Sequence, residues 1–371
     1  MKQLAPTDIQ VGQPLPFSVY DKDGRLLLRK GIVISFGQQI ERLLANGLYA
    51  SAGTSEPNRP TKKEEPPPVF DEIGSLTLRL KNTFASFLGT SPADDAGERV
   101  IFLAREIHAA CARDAESAIA AVHLDFHNPY LLSHHVHTAV LCSLLGRRLG
   151  MPDAELVPIM CAALTYDIGL VDMPHLEKQM EPLNAEQTEA VRRHPLKSVE
   201  LLKHARIGDE VWMSAVLNHH ERVDGSGYPK GLSGNSVPIG ARILGMLDSY
   251  TAMIKGRPFR DANVPVKAIK EIFNERNTQF DPEACAALVK ELGMYPPGAI
   301  VRLVNGEIAV VKARSAKINE PQIFSVYDTS GMPFMSPRQR DSKSDEYAVK
   351  APVSHSECRA VSLIIRRLWT K

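Results

Sequence analysis

Histidine is concentrated in one part of this 371-residue chain, since ten of its 12 histidines lie within residues 123–220. That stretch belongs to a longer region, residues 72–294, in which apolar residues recur every three or four positions, as in residues 101–122 and 136–149. Such spacing gives each helix one apolar face, so it predicts an all-α bundle. Imidazoles and carboxylates that face the interior of a helical bundle can together bind metal ions.

The segments on either side of the helical region have other patterns. Residues 1–50 contain short apolar runs around an Asp-Lys-Asp-Gly turn and then a helical stretch, which predicts a small β+α module. Residues 51–71 are rich in proline and predict a semi-extended linker. Residues 295–371 begin with two apolar runs joined by Asn305-Gly306, which predicts a β-rich C-terminal module. The expected fold is therefore mainly α, with a smaller module on each side.

Charge and cysteine content exclude several classes of function. Because 44 Lys+Arg balance 43 Asp+Glu, there is no long-range field to attract DNA, RNA or an acidic membrane. Five cysteines without a Cys-x-x-Cys pair predict reduced, buried thiols. The sequence begins without a signal-peptide-like apolar segment, and no apolar run is long enough to predict a membrane span. We therefore expect a cytoplasmic protein that binds any anionic ligand through local charges.

Potential metal ligands recur along the helical region. His219 and His220 follow a predicted helix and lead into a Gly- and Pro-rich loop, and two adjacent imidazoles cannot share one apolar face. His194-Pro195 is expected to interrupt another helix. Single histidines are more often structural, which is the expectation for five others. These five are His123, His127, His137, His175 and His204.

The string His-His-Glu-Arg-Val-Asp-Gly-Ser-Gly-Tyr-Pro at residues 219–229 resembles the signature of the HD-GYP subfamily of HD-domain phosphohydrolases. The resemblance covers about residues 120–290 and includes Ala241-Arg242-Ile243, Asp248 and Arg257-Pro258-Phe259-Arg260. Members of this subfamily are bacterial phosphodiesterases that hydrolyse cyclic di-GMP. The resemblance therefore implies an HD-type helical bundle and a metal-dependent enzyme that yields linear dinucleotide or GMP in second-messenger signalling.

The resemblance also implies roles for individual residues. Asp167 resembles the catalytic carboxylate that bridges two metal ions, often iron or manganese, which activate water and orient the phosphodiester. The other ligands of one ion would be His194, His219 and His220, and those of the second ion would be His134 and Asp248. The substrate-binding residues would be Gly225, Gly227, Tyr228, Arg257 and Arg260.

Three positions depart from the family pattern on the same side of the site. Tyr166 stands where the family has the histidine of its His-Asp pair, Leu170 where it has lysine, and Thr251 where it has a second aspartate. A phenol, with a reference pKa of about 10, is a poor ligand for a divalent metal at neutral pH. Either Tyr166 binds ferric iron as a phenolate, or it only packs and forms hydrogen bonds. Whether the chain holds one or two ions depends on this residue.

Two functions from different classes remain open. The complete loop and the six retained ligands favour a cyclic-di-GMP phosphodiesterase, and we expect this enzyme. The three departures favour a degenerate member that binds a nucleotide or a signalling protein without hydrolysing anything. A phosphohydrolase acting on another nucleotide is a third alternative. The expected ligand is a cyclic dinucleotide, and the flanking modules are assigned to signalling partners or to a homodimer.

Overall fold

The computed structural model describes most of the chain from residue 66 onwards and short pieces before it. The described residues are 2–3, 15, 17–20, 26–28, 30, 49–50, 66–87, 92–125, 128–173, 179, 181–256, 262–315, 317 and 320–370. The chain divides into two compact units, residues 1–66 and 67–371. The predicted linker falls largely outside the described residues, and the four-part division of the chain stays a prediction.

The first unit contains a small antiparallel sheet. Its strands pair in the order β1-β4-β2-β3. They are β1 (Lys2–Gln3), β2 (Val19–Tyr20), β3 (Leu26–Leu28) and β4 (Tyr49–Ala50). The turn between β2 and β3 and the helix predicted before β4 lie outside the described residues.

The second unit begins with a bundle of helices. They are α1 (Val69–Ala85), α2 (Ala96–Arg113), α3 (Ala115–Leu124), α4 (Tyr130–Arg148), α5 (Asp153–Thr165), α6 (Ala185–His204), α7 (Glu210–Asn218), α8 (Ile239–Ile254), α9 (Pro265–Asn274) and α10 (Pro282–Leu292). Side-chain caps fix several starts, because Asp114, Asp209 and Asp281 each accept a hydrogen bond from a first-turn backbone N–H. The mainly α fold predicted from the sequence is confirmed.

Helices α4 and α5 form the centre of the bundle. Every residue of α4 from Leu132 to Gly146 is buried, and so is every residue of α5 from Ile159 to Thr165. A helix that is enclosed on all sides can bring polar side chains into a protein interior. This placement carries His134 on α4 and Tyr166, directly after α5, away from bulk water.

Helix α6 differs from the sequence-based expectation, because Pro195 lies inside it and does not interrupt it. Proline lacks the N–H that would bond to the carbonyl of Val191, four residues earlier. That carbonyl instead accepts a hydrogen bond from Nδ1 of His194 at 2.5 Å. The missing backbone bond is thus replaced by a side-chain bond, and the helix continues to His204.

A β module completes the second unit. Its antiparallel strands pair in the order β8-β7-β6-β5-β9. They are β5 (Ile300–Leu303), β6 (Ile308–Ala313), β7 (Gln322–Tyr327), β8 (Pro333–Arg340) and β9 (Val349–Val353), and a short helix α11 (Ser362–Arg366) follows. The predicted Asn305-Gly306 turn joins β5 to β6, with Gly306 at φ +97°.

The β module packs on the helices through an apolar cluster and a charged one. Ala120 and Leu124 of α3 pack with Ile300 and Val310 of the sheet. Arg314 forms a salt bridge with Glu116 at 2.6 Å and another with Glu291 at 3.2 Å. These contacts hold the sheet against α3 and α10.

The described cysteines, Cys111, Cys142, Cys161, Cys285 and Cys358, are all buried and unpaired, as predicted. Within the described part of the chain, no helix combines the length and the apolar character that crossing a membrane requires.

Replacement of Arg314 tests the attachment of the β module. We expect Arg314→Met to lower the free energy of unfolding by about 2–4 kcal/mol, because Glu291 would keep a largely buried carboxylate with one partner fewer. The control is Lys317→Met, since the Lys317 side chain is 75% exposed in its pair with Glu320 and should contribute at most about 1 kcal/mol. Urea denaturation measures both, and equal effects would contradict this account.

Candidate metal centre

Five structural elements direct polar side chains towards one point inside the bundle. Helix α4 supplies His134, the turn after α5 supplies Asp167, α6 supplies His194, the end of α7 supplies His219 and His220, and α8 supplies Asp248. The turn that carries Asp167 is fixed by Ser198 of α6, whose hydroxyl accepts from the N–H of Gly169 at 2.9 Å and donates to the carbonyl of Tyr166 at 2.6 Å.

Two imidazole nitrogens face each other at this point. Nε2 of His194 lies 3.2 Å from Nε2 of His219. Nδ1 of each ring faces a backbone carbonyl, that of Val191 at 2.5 Å and that of Val216 at 2.7 Å. Because a carbonyl oxygen only accepts hydrogen bonds, each Nδ1 carries the proton, and in a neutral ring Nε2 then presents a lone pair. Nε2 is therefore the atom that each ring directs into the centre.

The carboxylate of Asp167 faces the same pair of rings. Its Oδ1 lies 3.0 Å from Nε2 of His194 and 3.9 Å from Nε2 of His219. Ligand atoms of His194, His219 and His220 lie within 4.8 Å of one another. Electron-pair donors held this close need a positive charge between them, and nitrogen and carboxylate ligands in this number suit a divalent metal ion. We name Asp167, His194, His219 and His220 the three-histidine group.

A second group lies on the other side of Asp167. Ligand atoms of His134, Asp167 and Asp248 are also within 4.8 Å of one another. In this group Nε2 of His134 lies 2.8 Å from Oδ1 of Asp248, and the hydroxyl of Tyr166 donates to the same oxygen at 3.1 Å. Asp167 belongs to both groups as defined here, and its role as a bridging carboxylate stays a prediction.

The protonation of these residues suits cation binding. Burial raises the pKa of the Asp167 carboxyl, but the hydrogen bond and charge of His194 outweigh it and lower that pKa below its usual range. Burial lowers the pKa of His219 to about 4 and that of His220 well below its ordinary value. Near neutral pH, Asp167 is therefore charged and these two rings are neutral, which are the forms that bind a metal.

His194 responds differently. Burial lowers the pKa of its ring, but the hydrogen bond and the charge of Asp167 raise it above its ordinary value. The position between these two residues therefore favours a positive charge, which either a proton or a metal ion can supply.

Tyr166 is a hydrogen-bond donor in this structure. Its side chain is fully buried, and its ring centroid lies 4.7 Å from that of His135 and 4.9 Å from that of His219. Burial, followed by the charges of Asp248 and Asp167, raises the pKa of the phenol well above its ordinary value. Of the two alternatives left open by the sequence, packing with a hydrogen bond is the one that this geometry favours.

The Gly-Tyr-Pro loop is fixed to the end of α7. The buried carboxylate of Glu221 accepts from the backbone N–H groups of Lys230 at 2.7 Å and Leu232 at 2.9 Å. Gly227 lies so close to the chain that an added Cβ would be 2.4 Å from the backbone nitrogen of Arg222, so no larger residue fits without a shift. Glu221 thus stiffens the loop.

Tyr228 contacts a histidine of the centre. Its ring stacks on His220 with centroids 4.6 Å apart and an interplanar angle of 23°. The guanidinium of Arg192 lies 5.0 Å from the centroid of Tyr228. The loop therefore supports the orientation of His220.

The other predicted site residues divide into three sets. Gly225 has φ +82° in the loop, as a tight turn requires. Leu170 lies in the turn after Asp167, and Thr251 is buried with its hydroxyl 3.0 Å from that of Thr138. Arg257 and Arg260 lie outside the described residues.

Sequence reasoning missed two neighbours of the centre. Arg192 has no role in the sequence-based prediction, and the only signal for one is its position two residues before His194. His135 was left without a role, yet its ring packs against Tyr166, and its Nε2 is buried without a hydrogen-bond partner among the described residues. His123, expected to be structural, bonds to the hydroxyl of Tyr250 at 2.7 Å.

Relatives of known name are similar to part of this chain. A cyclic di-GMP phosphodiesterase of Pseudomonas aeruginosa is 33% identical over 210 residues, which are 56% of this chain and 50% of that protein. A 3'3'-cGAMP-specific phosphodiesterase of Vibrio cholerae is 32% identical over 176 residues, which are 47% of this chain and 38% of that protein. This chain therefore spans about half the length of these curated relatives or less.

A solved structure shares the fold. It is an HDG"Y"P protein from Bdellovibrio bacteriovorus, with a TM-score of 0.51 at 18% identity, and the match covers 78% of this chain and 98% of that one. The family profile of the HD domain matches residues 119–284, which carry all the residues of the two groups. The part of the chain that carries these residues is therefore similar to an HD domain, and its fold agrees with that of the Bdellovibrio bacteriovorus protein.

Proposed function

We propose that this protein is a metal-dependent phosphodiesterase that hydrolyses cyclic di-GMP to the linear dinucleotide or to GMP. The observation that supports this most is the three-histidine group, in which Nε2 of His194, Nε2 of His219 and the carboxylate of Asp167 face one position. The names of the relatives support the substrate class, because both act on cyclic dinucleotides.

The side chains of the three-histidine group would bind the metal ion. Asp167, His194, His219 and His220 would hold a divalent ion, for which we propose iron or manganese. When bound, that ion supplies positive charge next to the phosphodiester and acidifies the attacking water. The backbone bonds of His194 and His219 keep both rings in the orientation that binding needs.

The substrate would lie next to the Gly-Tyr-Pro loop. Glu221 holds this loop against the end of α7, and Tyr228 packs on His220, so the loop and the metal ligands form one rigid unit. For Arg257 and Arg260 we keep the roles that the resemblance implies, as cations that bind phosphate or guanine through paired hydrogen bonds.

Hydrolysis of cyclic di-GMP by the metal-loaded protein is the direct test. We expect the wild type to produce linear dinucleotide or GMP, and His219→Ala to reduce the rate by about 100-fold or more, because a nitrogen ligand is lost. The matched control is His204→Ala, an exposed histidine on the same bundle that should leave the rate unchanged. Product formation followed by chromatography, with cyclic GMP-AMP as a parallel substrate, measures all three.

If protein shown to contain metal cleaved neither cyclic dinucleotide, the proposal would be contradicted. Faster cleavage of cyclic GMP-AMP than of cyclic di-GMP would contradict the choice of substrate and retain the reaction.

Loosening the loop should weaken substrate binding. We expect Glu221→Gln to raise the KM for cyclic di-GMP by about tenfold, since one acceptor of the Lys230 and Leu232 amides becomes a donor. Asp224→Asn is the control, because this exposed side chain bonds locally to Ser226 and accepts from its N–H, a bond that an amide oxygen can replace. Steady-state kinetics compares the two variants, and a larger effect of Asp224→Asn would refute the role given to Glu221.

A second candidate function is favoured by Tyr166. A phenol that donates to Asp248 replaces an imidazole of the family pattern, and Leu170 and Thr251 replace a lysine and an aspartate beside it. These changes fit a module that binds a cyclic dinucleotide without cleaving it. Calorimetric binding of cyclic di-GMP to metal-loaded wild type, together with an absence of product after prolonged incubation, would favour this function over hydrolysis.

A further inference from the structure

We propose that the centre holds a single metal ion, bound by the three-histidine group, and that the hydrogen bonds of Tyr166 and His134 to Asp248 close the position where a second ion would lie. This inference rests on the proposed function only in that it assumes a bound metal. It extends the proposed function by assigning the ion to one of the two groups.

The two groups differ in how their imidazoles are held. His194 and His219 bond through Nδ1 to backbone carbonyls, which fixes both rings with Nε2 directed into the centre. His134 has no such support, because its buried Nδ1 has no hydrogen-bond partner among the described residues. Instead its Nε2 is 2.8 Å from Oδ1 of Asp248. Nε2 of His194 likewise lies 3.0 Å from Oδ1 of Asp167, so the two groups differ in the support of Nδ1 and in the Tyr166 hydroxyl, and not in this contact between imidazole and carboxylate.

The carboxylate of the second group is engaged as well. Oδ1 of Asp248 receives the hydroxyl of Tyr166 in addition to the ring of His134. An ion placed here would have to break both bonds and would gain only His134, Asp248 and a share of Asp167. It would meet a hydroxyl hydrogen where the family pattern supplies an imidazole nitrogen.

Neighbouring side chains do not replace the missing ligand. Thr138 donates to the carbonyl of His134 at 2.9 Å, and Thr251 donates to the carbonyl of Leu247 at 2.8 Å. His135 packs against the ring of Tyr166, but its nitrogens are not among the converging ligand atoms. The second group therefore remains a hydrogen-bonded triad of His134, Tyr166 and Asp248.

Metal stoichiometry tests this inference without any measurement of activity. Wild type, Tyr166→His, Tyr166→Phe and Asp248→Asn are loaded anaerobically with Mn²⁺, separated from unbound metal and analysed for metal per chain. We expect about one ion in the wild type and about two in Tyr166→His, because an imidazole restores the missing ligand. Tyr166→Phe, which removes the hydroxyl and adds no ligand, should stay at about one ion.

Asp248→Asn and electron paramagnetic resonance provide independent readouts. Because Asp248 lies outside the three-histidine group, Asp248→Asn should keep its ion, whereas His219→Ala should lose it. The Mn²⁺ spectrum of the wild type should be that of isolated ions, and Tyr166→His should show the coupling of neighbouring ions. The wild-type spectrum and the metal content of Asp248→Asn show whether the centre holds one ion or two even if Tyr166→His does not fold.

Two ions in the wild type, or loss of the ion in Asp248→Asn, would overturn the single-ion inference and leave the proposed phosphodiesterase standing. An unchanged single ion in folded Tyr166→His would overturn the role given to Tyr166. If the wild type bound no metal at all, the metal centre of the proposed function would itself be wrong.

Discussion

The arrangement of this centre depends on two imidazole nitrogens held face to face. They approach to 3.2 Å, and Nε2 of His194 also lies 3.0 Å from Oδ1 of Asp167, so the fold must hold both rings in a fixed orientation. It does so with backbone carbonyls that the helices leave without an N–H partner. In α6 the carbonyl of Val191 is free because residue 195 is proline, and in α7 the carbonyl of Val216 is free because the helix ends at Asn218. Each carbonyl then fixes one ring.

The remainder of the fold keeps this arrangement dry and fixed. The enclosed helices α4 and α5 place His134 and the turn with Asp167 in the interior, and Ser198 ties that turn to α6. On the open side, Glu221 and Tyr228 join the Gly-Tyr-Pro loop to the end of α7. Electrostatic interactions are stronger in such a poorly solvated place than in water. A weakly charged protein can therefore bind an anionic ligand here without a basic surface.

The sequence predicted the helical part of the fold correctly because one periodic pattern runs through that region. Apolar spacing revealed the bundle, and the adjacent His219 and His220 indicated the centre, because packing alone does not require that pair. Pro195 was misread, since its general effect is to break a helix, and the compensating bond from His194 depends on the ring orientation that the folded centre imposes. Arg192 could not be assigned either, because an exposed arginine looks the same in sequence whether or not an aromatic ring lies below it. The partner of Tyr166 is Asp248, 82 residues away, a tertiary contact that no local pattern reveals.

Tyr166 illustrates how such a site can change without loss of the fold. The phenol ring packs among His134, His135 and His219, so the interior stays filled, and its hydroxyl finds an acceptor in Asp248. A buried polar group that keeps a partner costs little free energy, whereas an unpaired one would cost about 1–3 kcal/mol. The two groups have only Asp167 in common, and the carbonyl bonds of His194 and His219 do not involve Tyr166. The three-histidine group can therefore keep its geometry while the neighbouring group becomes a hydrogen-bonded triad. A chain of this kind can keep the ligands of one ion even though it lacks part of the family pattern.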